Sequence, residues 1–256
     1  MYRRGALFSV ALTMSALVGV AAVAANSTPD QATVVVATGD SPAPYTVTRL
    51  GRIPGGGAAT GLSVLDDGRV ALARQLGVIS IFDPADDTFS SIRTTDIAVP
   101  STGQVAQAGV LDITSFGDRI YVSYLCWRGE PVVVHCVDEL DLSGAKLRTT
   151  RWGDNFTHAF TPGNHNGGGI ATDGQYLYIG TGDDTQSSNP GQDPSSLKAK
   201  IVRMPISTLS PVELVALGIR QPFGLIMNGN ELIEFDVGLS TPGRRSTGSS
   251  LMRRTR

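Results

Sequence analysis

Apolar residues in this chain come in short runs, often with a polar residue at every second place, and the runs are broken by glycine beside Asp or Asn. A period of two is the mark of extended strands, and Asp-Gly or Asn-Gly between β-rich runs is the strongest short hairpin signal. Convincing 3.6-residue periodicity is nearly absent. One unit recurs: a glycine, a short apolar strand, a tight turn with Gly, then a second apolar strand. Its copies are GLSVLDDGRVALARQ (61–75), GVLDITSFGDRIYVSYL (109–125), GGIATDGQYLYIGTGD (168–183) and FGLIMNGNELIEFDVG (223–238). Their turn glycines Gly68, Gly117, Gly174 and Gly229 stand 49, 57 and 55 residues apart. Further strands are predicted at VISIFD (78–83), VVVHCVDELDL (132–142) and KIVRMPI (200–206). About four strands every fifty or so residues is the pattern of a β-propeller blade. A sandwich with irregular hairpins would not give near-constant spacing. The expected fold is therefore all-β, a propeller over residues 46–240 with about four blades, the last reduced to its inner hairpin.

Composition changes this picture only at the two ends. Of 256 residues 30 are Gly and 14 Pro, without a short repeat, which means many turns rather than low complexity. The N-terminus MYRRGALFSVALTMSALVGVAAVAAN has Arg3 and Arg4 before an apolar run and small residues at Ala22, Ala24 and Ala25. That is the form of a secretory signal peptide over 1–25. An uncleaved anchor is the rival, and it is the only expected link to a membrane. Either way the domain is expected outside the cytoplasm, secreted or periplasmic. A polar segment, 26–45, is expected to be loose.

Net charge is −2, with 21 basic and 23 acidic residues, yet Arg244, Arg245, Arg253, Arg254 and Arg256 crowd the end and no acid follows Asp236. Residues 241–256 are thus expected to be a basic tail, non-native and disordered. The body has no basic stripe, which argues against nucleic acid as a partner. The only two cysteines, Cys126 and Cys136, flank a turn expected near Pro131. A structural disulfide across that hairpin is the expectation, with roughly 2–4 kcal/mol of stabilisation.

The densest chemistry lies in TPGNHNGGGIATDGQYLYIGTGDD (161–184). With Asp173 and Gly174 as central turn residues, paired positions sum to 347. His165 then falls opposite Gly182, and Asp183 is its diagonal neighbour, within side-chain reach. A carboxylate beside imidazole fixes the tautomer and leaves the other nitrogen as a base. A histidine in a glycine-rich loop is also commonly a residue bonded to backbone, and spacing alone leaves both readings open.

The stretch NHNGGGIATDGQYLYIGTGDD, followed by KAKIVRM and ALGIRQPFGL, resembles the soluble glucose/sorbosone dehydrogenases, and the resemblance runs from about residue 58 to 240. It implies an exported six-bladed propeller that uses pyrroloquinoline quinone (PQQ) and Ca2+ to oxidise aldose sugars at the anomeric carbon, with an external electron acceptor. By position it implies His165 as the base, Asp183 as the acid that orients it, and Arg220 beside the quinone. Gln107 matches a pocket glutamine that binds substrate, Gln221 stands where the family has a cofactor-side Asn, and Gly238 and Leu239 match carbonyls that bind calcium. Ala199-Lys200 replaces the family's Gly-Lys. In the family a Trp-Glu-Glu segment follows the glycine that Gly238 matches. One coding run for Pro242 to Thr247, read two bases downstream, gives Trp-Glu-Glu-Val-Asp, so a shifted frame and lost later blades are expected. The alternative class is a non-catalytic or inactive truncated propeller that acts, if at all, as a binding module. A calcium-dependent hydrolase is disfavoured, since no metal-facing carboxylates or amides recur across the blades.

Overall fold

A computed structural model describes residues 57–93, 97, 108–129, 132–152, 165–185 and 190–237, with backbone strands at 31–38, 41–48 and 250–255. It divides into two compact units, Met1–Arg52 and Ile53–Arg256. In the first unit, β1 (Gln31–Thr38) and β2 (Ser41–Thr48) form an antiparallel hairpin, from Gln31↔Thr48 to Thr38↔Ser41. Within the segment expected to be loose, 26–45, residues 31–38 and 41–45 are thus extended strand, and the rest lies outside the described residues. The β-branched run Thr33–Val36 favours extended backbone, and its pairing outweighs the polar residues around it. The expected signal peptide, 1–25, lies outside the described residues. Among the described residues no helix is long and apolar enough to cross a membrane.

The second unit is a succession of antiparallel meanders. The first holds β3 (Ala59–Val64), β4 (Val70–Arg74), β5 (Val78–Asp83) and β6 (Thr88–Arg93). The second holds β7 (Val110–Phe116), β8 (Arg119–Gly129), β9 (Val132–Asp141) and β10 (Lys146–Trp152). The third holds β11 (Gly167–Thr172), β12 (Tyr176–Thr181), β13 (Lys200–Pro205) and β14 (Glu213–Leu217). The fourth holds β15 (Pro222–Asn228), β16 (Glu231–Val237) and β17 (Ser250–Thr255). Each inner hairpin turns at the glycine the sequence marked, with φ of 88° at Gly68, 59° at Gly117, 87° at Gly174 and 60° at Gly229. That left-handed region is open to glycine at little cost. Two expectations about the C-terminus change. The fourth meander has three strands rather than two, and 250–255 of the supposedly disordered tail pair with β16 from Leu232↔Thr255 to Val237↔Ser250. Residues 241–249 lie outside the described residues.

Strand alternation explains how the sheets stack. On β12, Leu177 and Ile179 pack with Ile170, Val202 and Met204 against Tyr121 and Val137 of the second sheet. Residues of opposite parity, Ala171 and Ile201, pack with Leu225 and Leu232 of the fourth. Likewise Ala71, Ala73, Ile79 and Ile81 meet Val110, Ile113, Ile120 and Val122 between the first and second. Each buried Val, Leu, Ile or Met among them contributes about 1.5–3 kcal/mol. The inner strands β3, β7, β11 and β15 touch in sequence around a cavity of about 450 Å³. Sheets packed face to face around a shared axis, inner strand first, are the blades of a β-propeller.

Cys126 and Cys136 form the expected disulfide, with Cα atoms 5.9 Å apart. They are not face to face, because Tyr124 pairs with Cys136 and Cys126 with Val134. The strands close at Gly129↔Val132, and a bulge between Trp127 and Gly129 shifts the register further, which makes the bridge diagonal.

Candidate active site at the rim of the third and fourth blades

Every inner strand begins at the same rim, and every second strand returns to it. The loop before β11 therefore delivers His165, the return of β12 delivers Asp183, and the loop before β15 delivers Arg220 and Gln221. His165 Nδ1 lies 2.8 Å from Asp183 Oδ1. A carboxylate only accepts, and this oxygen also takes the Thr185 N–H at 2.9 Å. In the neutral ring Nδ1 therefore carries the hydrogen, and Nε2 carries the lone pair. The two side chains are 16% and 21% exposed, so a solute can reach the pair.

Register makes this contact, though not by the route the sequence suggested. Thr172 pairs with Leu177 and Ile170 with Ile179, so the turn spans Asp173 to Tyr176, two residues wider than expected. A bulge between Gly167 and Ile170 then takes one residue back, pairing Gly167 with Thr181. Continued to the rim, that register places Asp183 directly opposite His165 rather than diagonal to it. The Gly182 N–H donates to Asn166 O at 3.1 Å and the Asp184 N–H to His165 O at 3.2 Å. Only glycine permits the approach: a Cβ on Gly182 would lie 1.6 Å from His165 O.

Arg220 joins the constellation through its backbone. Its carbonyl accepts the Asp183 N–H at 2.8 Å, and its Nη1 donates to Val237 O at 3.2 Å. Asp236, 2% exposed, accepts both adjacent amides, Arg220 N–H at 3.1 Å and Gln221 N–H at 2.5 Å. Gln221 is thus held by its main chain beside Arg220. The sequence reading missed Asp236, although a signal was there. In ELIEFDV, Glu234 and Asp236 occupy the buried parity of an apolar strand, where a carboxylate needs a reason. Also missed were Lys198 and Asp184, a buried ion pair at 2.7 Å. Four non-glycine residues here have left-handed backbone, His165 (φ 59°), Asp184 (56°), Thr185 (56°) and Ala199 (62°). Such strain gathers at functional sites when surrounding bonds enforce it.

Gln107, Gly238 and Leu239 lie outside the described residues. Among the described residues no group of three or more His, Cys, Asp or Glu is placed to hold a metal ion. An anionic quinone cofactor needs cations, and Arg220, whose backbone carbonyl accepts the Asp183 N–H, is a cation at the same rim.

Fold and rim together define a class, a β-propeller with a histidine–carboxylate pair and a backbone-anchored arginine at its mouth. The profile of the glucose/sorbosone dehydrogenase family matches residues 58–239, and the chain belongs to that family. Among solved structures, the apo form of the soluble aldose sugar dehydrogenase of Escherichia coli is 23% identical, with a TM-score of 0.55 over 71% of this chain and 58% of its own. An oxidoreductase described as a glucose dehydrogenase, from Thermus thermophilus, is 24% identical, with a TM-score of 0.54 over 73% and 59%. The PQQ-bound form of aldose sugar dehydrogenase from Streptomyces coelicolor is 21% identical, with a TM-score of 0.54 over 73% and 58%. The chain thus spans about three-fifths of the length of these structures. A comparison with curated proteins gave no match.

Proposed function

We propose that this chain serves an oxidoreductase that oxidises aldose sugars at the anomeric carbon. The observation that carries the reading is the 2.8 Å contact between His165 Nδ1 and Asp183 Oδ1, at a rim shared with Arg220. His165 takes the proton of the sugar's anomeric hydroxyl on Nε2. Asp183 holds the ring in the tautomer that makes this possible and stabilises the imidazolium that results. Arg220, always charged and anchored by Asp183 N–H and Asp236, offers its guanidinium to negative charge developing on the oxidant's oxygens. PQQ, when bound, supplies the hydride acceptor, and Arg220 with Gln221 would hold it. Calcium enters no step here, because its expected carbonyls, those of Gly238 and Leu239, lie outside the described residues. Export to the periplasm or medium and an external electron acceptor complete the proposal; export rests on the charged and apolar N-terminus alone.

The test is dye reduction by the purified full chain with PQQ, calcium chloride and a panel of aldoses. PQQ-dependent turnover is expected, and His165→Ala is expected to lower it by roughly 10²–10⁴-fold, the usual contribution of general-base catalysis. Absence of both turnover and PQQ binding in the wild-type chain overturns the reading in favour of a non-catalytic binding module.

A further inference from the structure

Lys198 takes no part in the chemistry above, yet its side chain is only 2% exposed, with Nζ 2.7 Å from Asp184 Oδ2, itself 1% exposed. A buried ion pair is weak evidence of stabilisation, since apolar residues of similar volume often do as well. The question is what geometry it fixes. Asp184 follows Asp183 directly and has left-handed backbone, as does Thr185 after it. Its N–H donates to His165 O. A rotation at Asp184 would swing the Asp183 carboxylate away from Nδ1. On the other side, the Ala199 N–H donates to Gly182 O at 2.8 Å, and Ser196 Oγ accepts the Lys198 N–H at 3.1 Å. The segment 196–199 therefore grips 182–184 at two points, one through backbone and one through charge.

We propose that Lys198 is a positioning residue for the His165–Asp183 pair, acting through its buried bond to Asp184. The role as an aid to catalysis rests on the sugar-oxidation reading, while the geometric claim does not.

Two arms separate them. The chain has three histidines, His135, His158 and His165, so ¹⁵N-histidine spectra of the full, cofactor-free protein are simple to assign with His158→Gln and His165→Gln. Wild-type His165 is expected as a single tautomer with hydrogen on Nδ1. Lys198→Met is expected to show a mixture of tautomers, and Lys198→Arg to restore the wild-type pattern. Should the single variant fail to fold, Lys198→Met with Asp184→Leu removes both charges and leaves the same spectrum to read. A folded variant of either kind that keeps the wild-type tautomer overturns the proposal. In the dye assay, Lys198→Met is expected to lower kcat on the order of 100-fold, the scale of an ångström-sized misplacement, with KM little changed. A wild-type chain without turnover would sink the sugar reading alone, because the spectra still decide the positioning claim.

Discussion

His135 on β9 is 1% exposed and packs beneath the loop of Asn166, and burial lowers its pKa to about 4. The unfolded chain binds a proton there near pH 6.5 and the folded chain does not, so this residue makes stability fall as pH drops from about 6.5 to about 4. The full effect is about 3 kcal/mol. Asp112 on β7 does the reverse. Burial raises its pKa to about 7, although its carboxylate accepts the N–H groups of Ile113 at 2.8 Å and of Ile170, in the next blade, at 3.0 Å. The folded chain keeps that proton from pH 3.8 up to about 7, so stability falls as pH rises through this window. The two slopes oppose each other between about pH 4 and 6.5. Single variants are expected to separate them in urea titrations at about pH 5, inside both windows, and at about pH 7.5, above both. Asp112→Asn should leave a chain more stable at the higher pH, and His135→Gln one more stable at the lower; equal midpoints in both variants would contradict this. Neither residue stood out in the sequence, because burial depends on which blade covers it.

At the scale of elements, turn chemistry and alternation were legible, but register was not. Strand β5 falls on 78–83 as read, and β13 on 200–205, within a residue of its reading. The contact between His165 and Asp183 was also anticipated, but through an incorrect register. A wider turn and the bulge after Gly167 nearly cancel, and local sequence does not reveal a bulge that neighbouring blades help to set. Two glycines test which part of the hairpin matters. Gly229 has open space for a Cβ but φ of 60°, so Gly229→Ala is expected to cost about 1–2 kcal/mol in denaturation with turnover kept. Gly182→Ala forces a methyl against His165 O. A cost of about 1–3 kcal/mol is expected, with loss of the single-tautomer His165 signal as well. Retention of that signal in Gly182→Ala would count against the close-approach account.

For the whole molecule, stacking leaves one face of the first and of the fourth blade without a neighbouring blade among the described residues. Leu62 is 60% exposed and Ile226 is 53% exposed, each of opposite parity to the buried face of its sheet. Apolar faces of this kind drive association. Sedimentation velocity is expected to show concentration-dependent self-association of the chain, reduced by Leu62→Lys with Ile226→Lys while the melting temperature holds. A monomer at all concentrations would refute this.

The sequence by itself determined the strand-and-turn period, the four inner hairpins, the disulfide partners and the identity of the residues His165, Asp183 and Arg220, because period-two alternation, Asp-Gly turns and residue types are local facts. Only the tertiary structure decided that Asp236 holds Arg220, that Asp184 and Lys198 brace the pair, and that Asp112 spans two blades. Those contacts join residues that stacking brings together from different strands and blades, and a carboxylate's partner across such a junction leaves no periodic trace in the chain.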